Sequence, residues 1–116
     1  MDRNKELKLQ YLQSKPDMGV YIIRSNTKKK CIIEKTKDLK GTLNGTLFKL
    51  NSGFYPNREL IKEWKEFGES EFTIEVLEKL KHKEEDAMID YSEDLEIMQM
   101  LWIDKYKNEN WEFYKR

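Results

Sequence analysis

Lys28, Lys29 and Lys30 form a run, and Lys35, Lys37 and Lys40 follow within the next ten residues. Ammonium groups so spaced suit phosphate, and would give salt-sensitive, sequence-tolerant contact with a nucleic acid. No aromatic side chain is interleaved among them, so they do not suggest stacking on single-stranded bases. Lysines on strand edges also prevent aggregation, which is the plainer role open to the same residues. Tyr21 sits in an apolar run and could offer its hydroxyl to a ligand, or simply pack. His82 is the single histidine and lies between two lysines, so a triad or a histidine zinc site has nothing to build on; it reads as a surface residue. Cys31 is the single cysteine, which excludes an internal disulfide and a cysteine metal cluster. Its strand-like surroundings predict a buried, unreactive thiol. Glu84, Glu85 and Asp86 suit the positive end of a helix better than a metal. No phosphate loop or dinucleotide-binding glycine pattern occurs.

The 116 residues suffice for one domain with a modest core, and 38% are charged against 38% hydrophobic. Three Trp, six Tyr and five Phe supply bulky anchors for that core. Net charge is zero, but it is unevenly spread. Residues 1–65 carry 15 Lys+Arg against 7 Asp+Glu (+8), and residues 66–116 carry 7 against 15 (−8). The basic half can attract phosphates, and the acidic half can repel them or meet a basic partner. No apolar run approaches the roughly 20 residues that span a bilayer, and the first residues are charged rather than an apolar leader. The expectation is a cytoplasmic protein with no membrane contact.

Periodicity supplies the elements that would position these groups. Residues 3–14 form a short helix with Leu7, Tyr11 and Leu12 on one side, stopped by Pro16. Residues 18–24 and 30–35 are β-rich and are separated by Ser25-Asn26-Thr27-Lys28-Lys29, which predicts an antiparallel hairpin. Asp38 caps a helix that carries Leu39, Leu43, Leu47 and Leu50, with Gly41 and Gly45 inside it. Asn51-Ser52-Gly53 ends it. Asn57 caps a second helix with Leu60, Ile61 and Trp64 inward, ended by Gly68. Residues 72–77 read as a third strand, placed at the centre of the sheet. Residues 84–106 form the longest helix, with Leu95, Met98, Leu101, Trp102 and Tyr106 on its apolar side. The tail from Asn110, with Trp111, Phe113 and Tyr114, folds back on the domain. The order α-β-β-α-α-β-α predicts an α+β fold, a three-stranded antiparallel sheet flanked by helices. One domain covers 1–116, with 1–16 as an N-terminal helical extension.

Gly19-Val20-Tyr21, then Lys30-Cys31-Ile32-Ile33-Glu34, open a series of matching pieces. Thr36-Lys37-Asp38-Leu39, Leu50-Asn51-Ser52-Gly53 with Pro56-Asn57, and residues 72–78 followed by Leu101-Trp102-Ile103 continue it. In this order and spacing they resemble the GIY-YIG nuclease superfamily over roughly residues 18–114. Through Asp38-Leu39-Lys40-Gly41-Thr42 the chain also resembles small GIY-YIG-like proteins of bacilli. The resemblance implies a phosphodiesterase fold whose enzymes use one divalent ion, Mg²⁺ or Mn²⁺. It also implies that most of their chemistry is gone. The first-motif tyrosine matches Tyr21. The second-motif tyrosine falls on Ile32 and its glycine on Glu34. The helix arginine falls on Thr42, the histidine one turn later on Thr46, and a loop histidine on Tyr55. The metal-binding glutamate falls on Gln99, a neutral and poorer ligand for Mg²⁺. The late asparagine falls near Tyr114 or Lys115. Glu96, one turn before Gln99, is the remote alternative for a shifted metal site.

Three readings follow. The first is a catalytically inactive nuclease-like protein that keeps weak DNA binding through Lys28, Lys29, Lys30, Lys35, Lys37 and Lys40, with no cofactor. The second is a protein-interaction or self-associating module on the same scaffold. The third is a metal-dependent endonuclease with a rearranged site at Glu96 or Tyr21.

Overall fold

A computed structural model describes residues 15–82 and 89–115. The helix expected over residues 3–14 and the run Glu84-Glu85-Asp86 lie outside them. The elements are β1 (Met18–Ser25), β2 (Lys30–Thr36), α1 (Leu39–Ser52), α2 (Arg58–Phe67), β3 (Phe72–Leu80), α3 (Ser92–Asn108) and β4 (Glu112–Phe113).

The sheet is four-stranded and mixed, in the order β3-β1-β2-β4. β1 pairs antiparallel with β2 and with β3, while β4 runs parallel to β2 through Lys30 and Cys31 only. This corrects the expected three-stranded antiparallel sheet, and it moves β3 from the centre to an edge. All of β1 except Arg24 is buried, because Tyr21 and Ile23 face one layer of helices and Val20 and Ile22 the other. A strand covered on both faces reads as a continuous apolar run. β3 carries Glu75, Glu78 and Lys79, and only its first residue, Phe72, is buried. β4 has two residues, too few for any periodicity to show.

One face of the sheet packs on α1 and α2. Leu39, Leu50, Leu60 and Trp64 are buried there with Tyr21, Ile23 and Ile32, and Leu43 and Leu47 pack against them. The leucine stripe read from the sequence is therefore the core stripe of α1. Both caps hold: the Gly41 N–H donates to the Asp38 carboxylate at 3.1 Å, and the Leu60 N–H to the Asn57 side chain at 3.0 Å. The other face packs on α3 through Met98, Trp102, Ile103 and Tyr106, and on Trp111 and Phe113 of the returning tail.

Two expectations for α3 fail. Among the described residues the helix starts at Ser92, and residues 89–91, expected inside it, are not helical. Asp90 accepts the Ser92 N–H at 3.0 Å and the Ser92 hydroxyl at 2.6 Å, a local turn that sets the start there. Leu101, assigned to the apolar side, is 65% exposed. Leu95, Met98, Trp102 and Tyr106 already complete the i, i+3, i+4 row, and Leu101 falls outside it. His82 differs too. It is half-buried, its Nε2 lies 2.9 Å from the Pro16 carbonyl oxygen, and its ring meets Tyr91 edge-on. No helix among the described residues is long and apolar enough to cross a membrane.

A Cβ built on Gly45 meets no atom within 4 Å, and Gly45 lies inside α1. Gly45→Ala will therefore stabilise the domain by about 0.5–1 kcal/mol, because alanine loses less backbone entropy in a helix. Urea unfolding at constant m-value measures it; an unchanged or lower midpoint would contradict the helix geometry.

Candidate functional site

Tyr21 and Glu34 are direct partners in the β1–β2 ladder and project from the α1 face of the sheet. α1 starts beyond the end of β2, at its Asp38 cap, and brings Gly41, Thr42, Gly45 and Thr46 along one side across from them. Tyr55 and Pro56, from the loop between α1 and α2, form the third wall. Together they line a cleft of about 590 Å³. Thr42 and Thr36 share a hydroxyl–hydroxyl hydrogen bond of 2.6 Å at its side.

The cleft gathers Tyr21, Thr42, Thr46 and Tyr55, four of the positions that the resemblance singles out. Ile32 lies next door, in a smaller depression shared with Glu34, Tyr55, Pro56 and Asn57. Gln99 is farther round. It is buried on α3, and its amide Nε2 donates to the Ile33 carbonyl at 2.9 Å. It lines a third depression with Ile32, Ile33 and Tyr114. Glu96, one turn earlier, is exposed.

A divalent ion needs several oxygen ligands, carboxylates foremost. Among the described residues no group of three His, Cys, Asp or Glu side chains could hold a metal. Gln99 offers at best one neutral amide oxygen, its Nε2 donating to the Ile33 carbonyl, and one Asp38 oxygen is taken by the α1 cap. The residues present do not fit the metal that the fold family implies.

The lysines separate into two groups. Lys28, Lys29 and Lys30 sit at the hairpin end of β2, and Lys35, Lys37 and Lys40 at its other end, roughly 17 Å away along the strand. Two of the first group face acids. Lys30 Nζ lies 2.7 Å from Glu59 and 3.5 Å from Glu63, and Lys28 Nζ lies 3.9 Å from Glu63. Glu59 raises the Lys30 pKa, and Lys30 in turn lowers that of Glu59. Lys28 also stands over the Phe67 ring at 4.3 Å. Lys37 meets Asp90 at 3.4 Å in full exposure, where an ion pair contributes little. Lys29, Lys35 and Lys40 are exposed.

Glu63 escaped the sequence reading. It is buried, and it accepts a hydrogen bond of 3.2 Å from the Tyr114 hydroxyl. Burial, with Glu63 alongside, pushes the Tyr114 hydroxyl pKa upward. The signal was available: Glu63 shares a stripe with Leu60, Trp64 and Phe67 at helical spacing. Glu34 and Asp38 were noted only as a lost glycine and a cap, whereas both line the cleft.

No family model matches the chain, and no curated protein does. Two solved structures do. The catalytic domain of the homing endonuclease I-TevI superposes with a TM-score of 0.65 at 15% identity, over 85% of this chain and 99% of that one. A point mutant of the I-TevI catalytic domain gives a TM-score of 0.62 at 19% identity, over 85% and 92%. Likeness at such low identity establishes the fold alone, and for the fold the expectation drawn from the Gly19-Val20-Tyr21 pieces holds: this chain has a GIY-YIG-like α+β fold.

Proposed function

We propose that this chain is an inactive nuclease-like domain that binds nucleic acid weakly, through lysines outside its cleft. The observation that carries the reading is the makeup of the cleft. Thr42 and Thr46, where the resemblance puts the transition-state arginine and the helix histidine, line it, and Glu34 lies opposite Tyr21, the one matching tyrosine. Phosphoryl chemistry needs a cation where negative charge develops, and loss of one such group costs on the order of 10²–10³ in rate. Lys49 is the one basic residue of the lining, against the carboxylates of Glu34 and Asp38. A phosphodiester is repelled there rather than stabilised. The residues suited to phosphate are Lys29, Lys35 and Lys40, with Lys37 beside them and Lys28 and Lys30 held back by Glu59 and Glu63.

Supercoiled plasmid incubated at low salt with Mg²⁺ or Mn²⁺ tests both halves on one gel. Retardation without nicking is expected. Three phosphate contacts give a slope of about −2.7 in log affinity against log salt, so affinity falls about fortyfold between roughly 50 and 200 mM salt. The triple variant Lys29→Ala, Lys35→Ala, Lys40→Ala will lose the retardation. Nicking that a chelator abolishes would overturn the claim of inactivity, and absence of retardation at low salt would overturn the claim of binding.

One observation favours the second reading, a self-associating or partner-binding module: Ile97, Met100 and Leu101 of α3 are at least half exposed. Light scattering distinguishes it, since a strict monomer removes self-association.

A further inference from the structure

A groove of about 340 Å³ runs between β3 and α3. Leu80 and Lys81 form one bank, and Tyr91, Ile97, Met98 and Leu101 the other. Ile97 is 50% exposed and Leu101, one turn on, 65%. An apolar row beside an open groove marks a contact surface. The place where the chain enters the domain bears on what fills it. β1 begins at Met18, which pairs with Leu80 and is buried with Tyr91 and Leu95. Just before it, Asp17 meets Lys79 at 3.1 Å, and the Pro16 carbonyl lies 2.9 Å from the ring of His82. Residues 1–14, which lie outside the described residues, therefore join the domain at one end of this groove.

Pattern and charge fit the same segment. Leu7, Tyr11 and Leu12 fall on one side of the helix expected over residues 3–14. Such a helix is about 18 Å long, and the row from Tyr91 to Leu101 spans about 15 Å of α3. Arg3, Lys5, Lys8 and Lys15 outnumber Asp2 and Glu6, whereas residues 90–101 carry Asp90, Glu93, Asp94 and Glu96 and no Lys or Arg. His82 adds an independent observation. A carbonyl only accepts, so Nε2 donates to Pro16 and Nδ1 of the neutral ring is left as an acceptor. That Nδ1 is buried and has no hydrogen-bond partner. A nitrogen so placed is normally paired. Ser14 and Gln13, two and three residues before Pro16, carry side-chain donors.

We infer that residues 1–14 form an amphipathic helix that docks in the β3–α3 groove of its own chain. Leu7 and Tyr11 lie on Ile97, Met98 and Leu101, the basic side chains face the acids of α3, and Ser14 or Gln13 donates to His82. Docked so, the segment covers the apolar row that would otherwise meet a second copy. The inference does not rest on the nucleic-acid reading, and it gives the face that favours self-association an occupant from the same chain.

The experiment places a nitroxide on the full chain at Gln10→Cys, a position away from the Leu7–Tyr11 side; Cys31 is buried and stays unlabelled. In ¹⁵N-labelled protein, broadening of the amide signals of residues 78–81 and 91–101 is expected, and far less in α2, across the sheet. A mixture of ¹⁵N-labelled native chain with nitroxide-labelled chain of natural isotope content will show none. Ile97→Asp with Leu101→Asp will abolish the broadening, and so will Leu7→Ser with Tyr11→Ser. Ile97 and Leu101 are at least half exposed, so the first variant keeps a folded spectrum. Absence of broadening in the groove, or its persistence in both variants, would overturn the docking. Broadening that appears in the mixture would overturn it as well, by assigning the groove to a second copy.

Discussion

Gly19→Val will destabilise the domain by about 3 kcal/mol, near the upper end for overpacking in a core. Gly19 lies on β1, between β2 and β3, with Thr36 and Lys79 as its partners. A Cβ there would run into the backbone carbonyl of Glu78. Backbone cannot swing aside as a side chain can, so the ladder itself must open. The position matters twice. Just after it the β1–β3 register shifts: Val20 faces Glu78 while Tyr21 faces Val76, so Leu77 is an extra residue on β3. A bulge of this kind re-aims the side chains that follow it, and the next one into the cleft is Tyr21. The glycine of the first matching piece is thus explained by close strand approach. Urea unfolding will show a lower midpoint, and the amide shifts of Tyr21 and Glu34 will move in the folded fraction. A loss under about 1 kcal/mol would mean that β3 does not approach as described. Gly45→Ala, expected to stabilise, is the matched control of opposite sign.

Cys31 will make stability fall on the alkaline side. Its side chain is fully buried between β1 and the α3 layer, and burial pushes the thiol pKa from 9.0 up to about 12. A folded-state pKa above the unfolded one means that the neutral thiol is favoured in the fold. The contribution is whole below pH 9.0 and is lost as pH climbs toward 12. By about pH 10.5 the loss is about 2 kcal/mol, at 1.36 kcal/mol per unit. Tyr114, whose hydroxyl is raised in the same direction, adds to it, and so does Lys30, whose ammonium pairs best with Glu59 below its own raised pKa. The contribution of Cys31 is isolated by difference. Cys31→Ala will be less stable than the native chain near pH 8, and the gap will shrink by about 2 kcal/mol near pH 10.5. Parallel curves would show that the thiol does not titrate across that window.

Much of this molecule was readable in order along the chain. The hairpin of β1 and β2, the Leu39–Leu43–Leu47–Leu50 row, the Asp38 and Asn57 caps, the Gly68 stop and the buried thiol of Cys31 all came from local pattern. Each depends on residues within about one turn or one ladder step of each other, so composition and spacing carry it. The folding-back of the tail came from its aromatic content, and it occurs, with Tyr114 buried against Glu63.

Tertiary structure alone decided the rest. β3 lies at an edge because β1 competes better for burial on two faces, a comparison between strands some fifty residues apart. β4 exists because the Glu112 N–H reaches the Lys29 carbonyl at 3.1 Å and the Tyr114 N–H the Cys31 carbonyl at 3.0 Å. Glu63 could be buried only because Lys28, Lys30 and Tyr114 converge on it from distant parts of the chain. The cleft follows the same rule. The resemblance read in the sequence predicted which positions would lack the family's catalytic side chains. That Glu34, Asp38 and Thr46 then meet around one acidic space required β2 and α1 to be folded against each other, since charge in a cleft is a sum over neighbours in space.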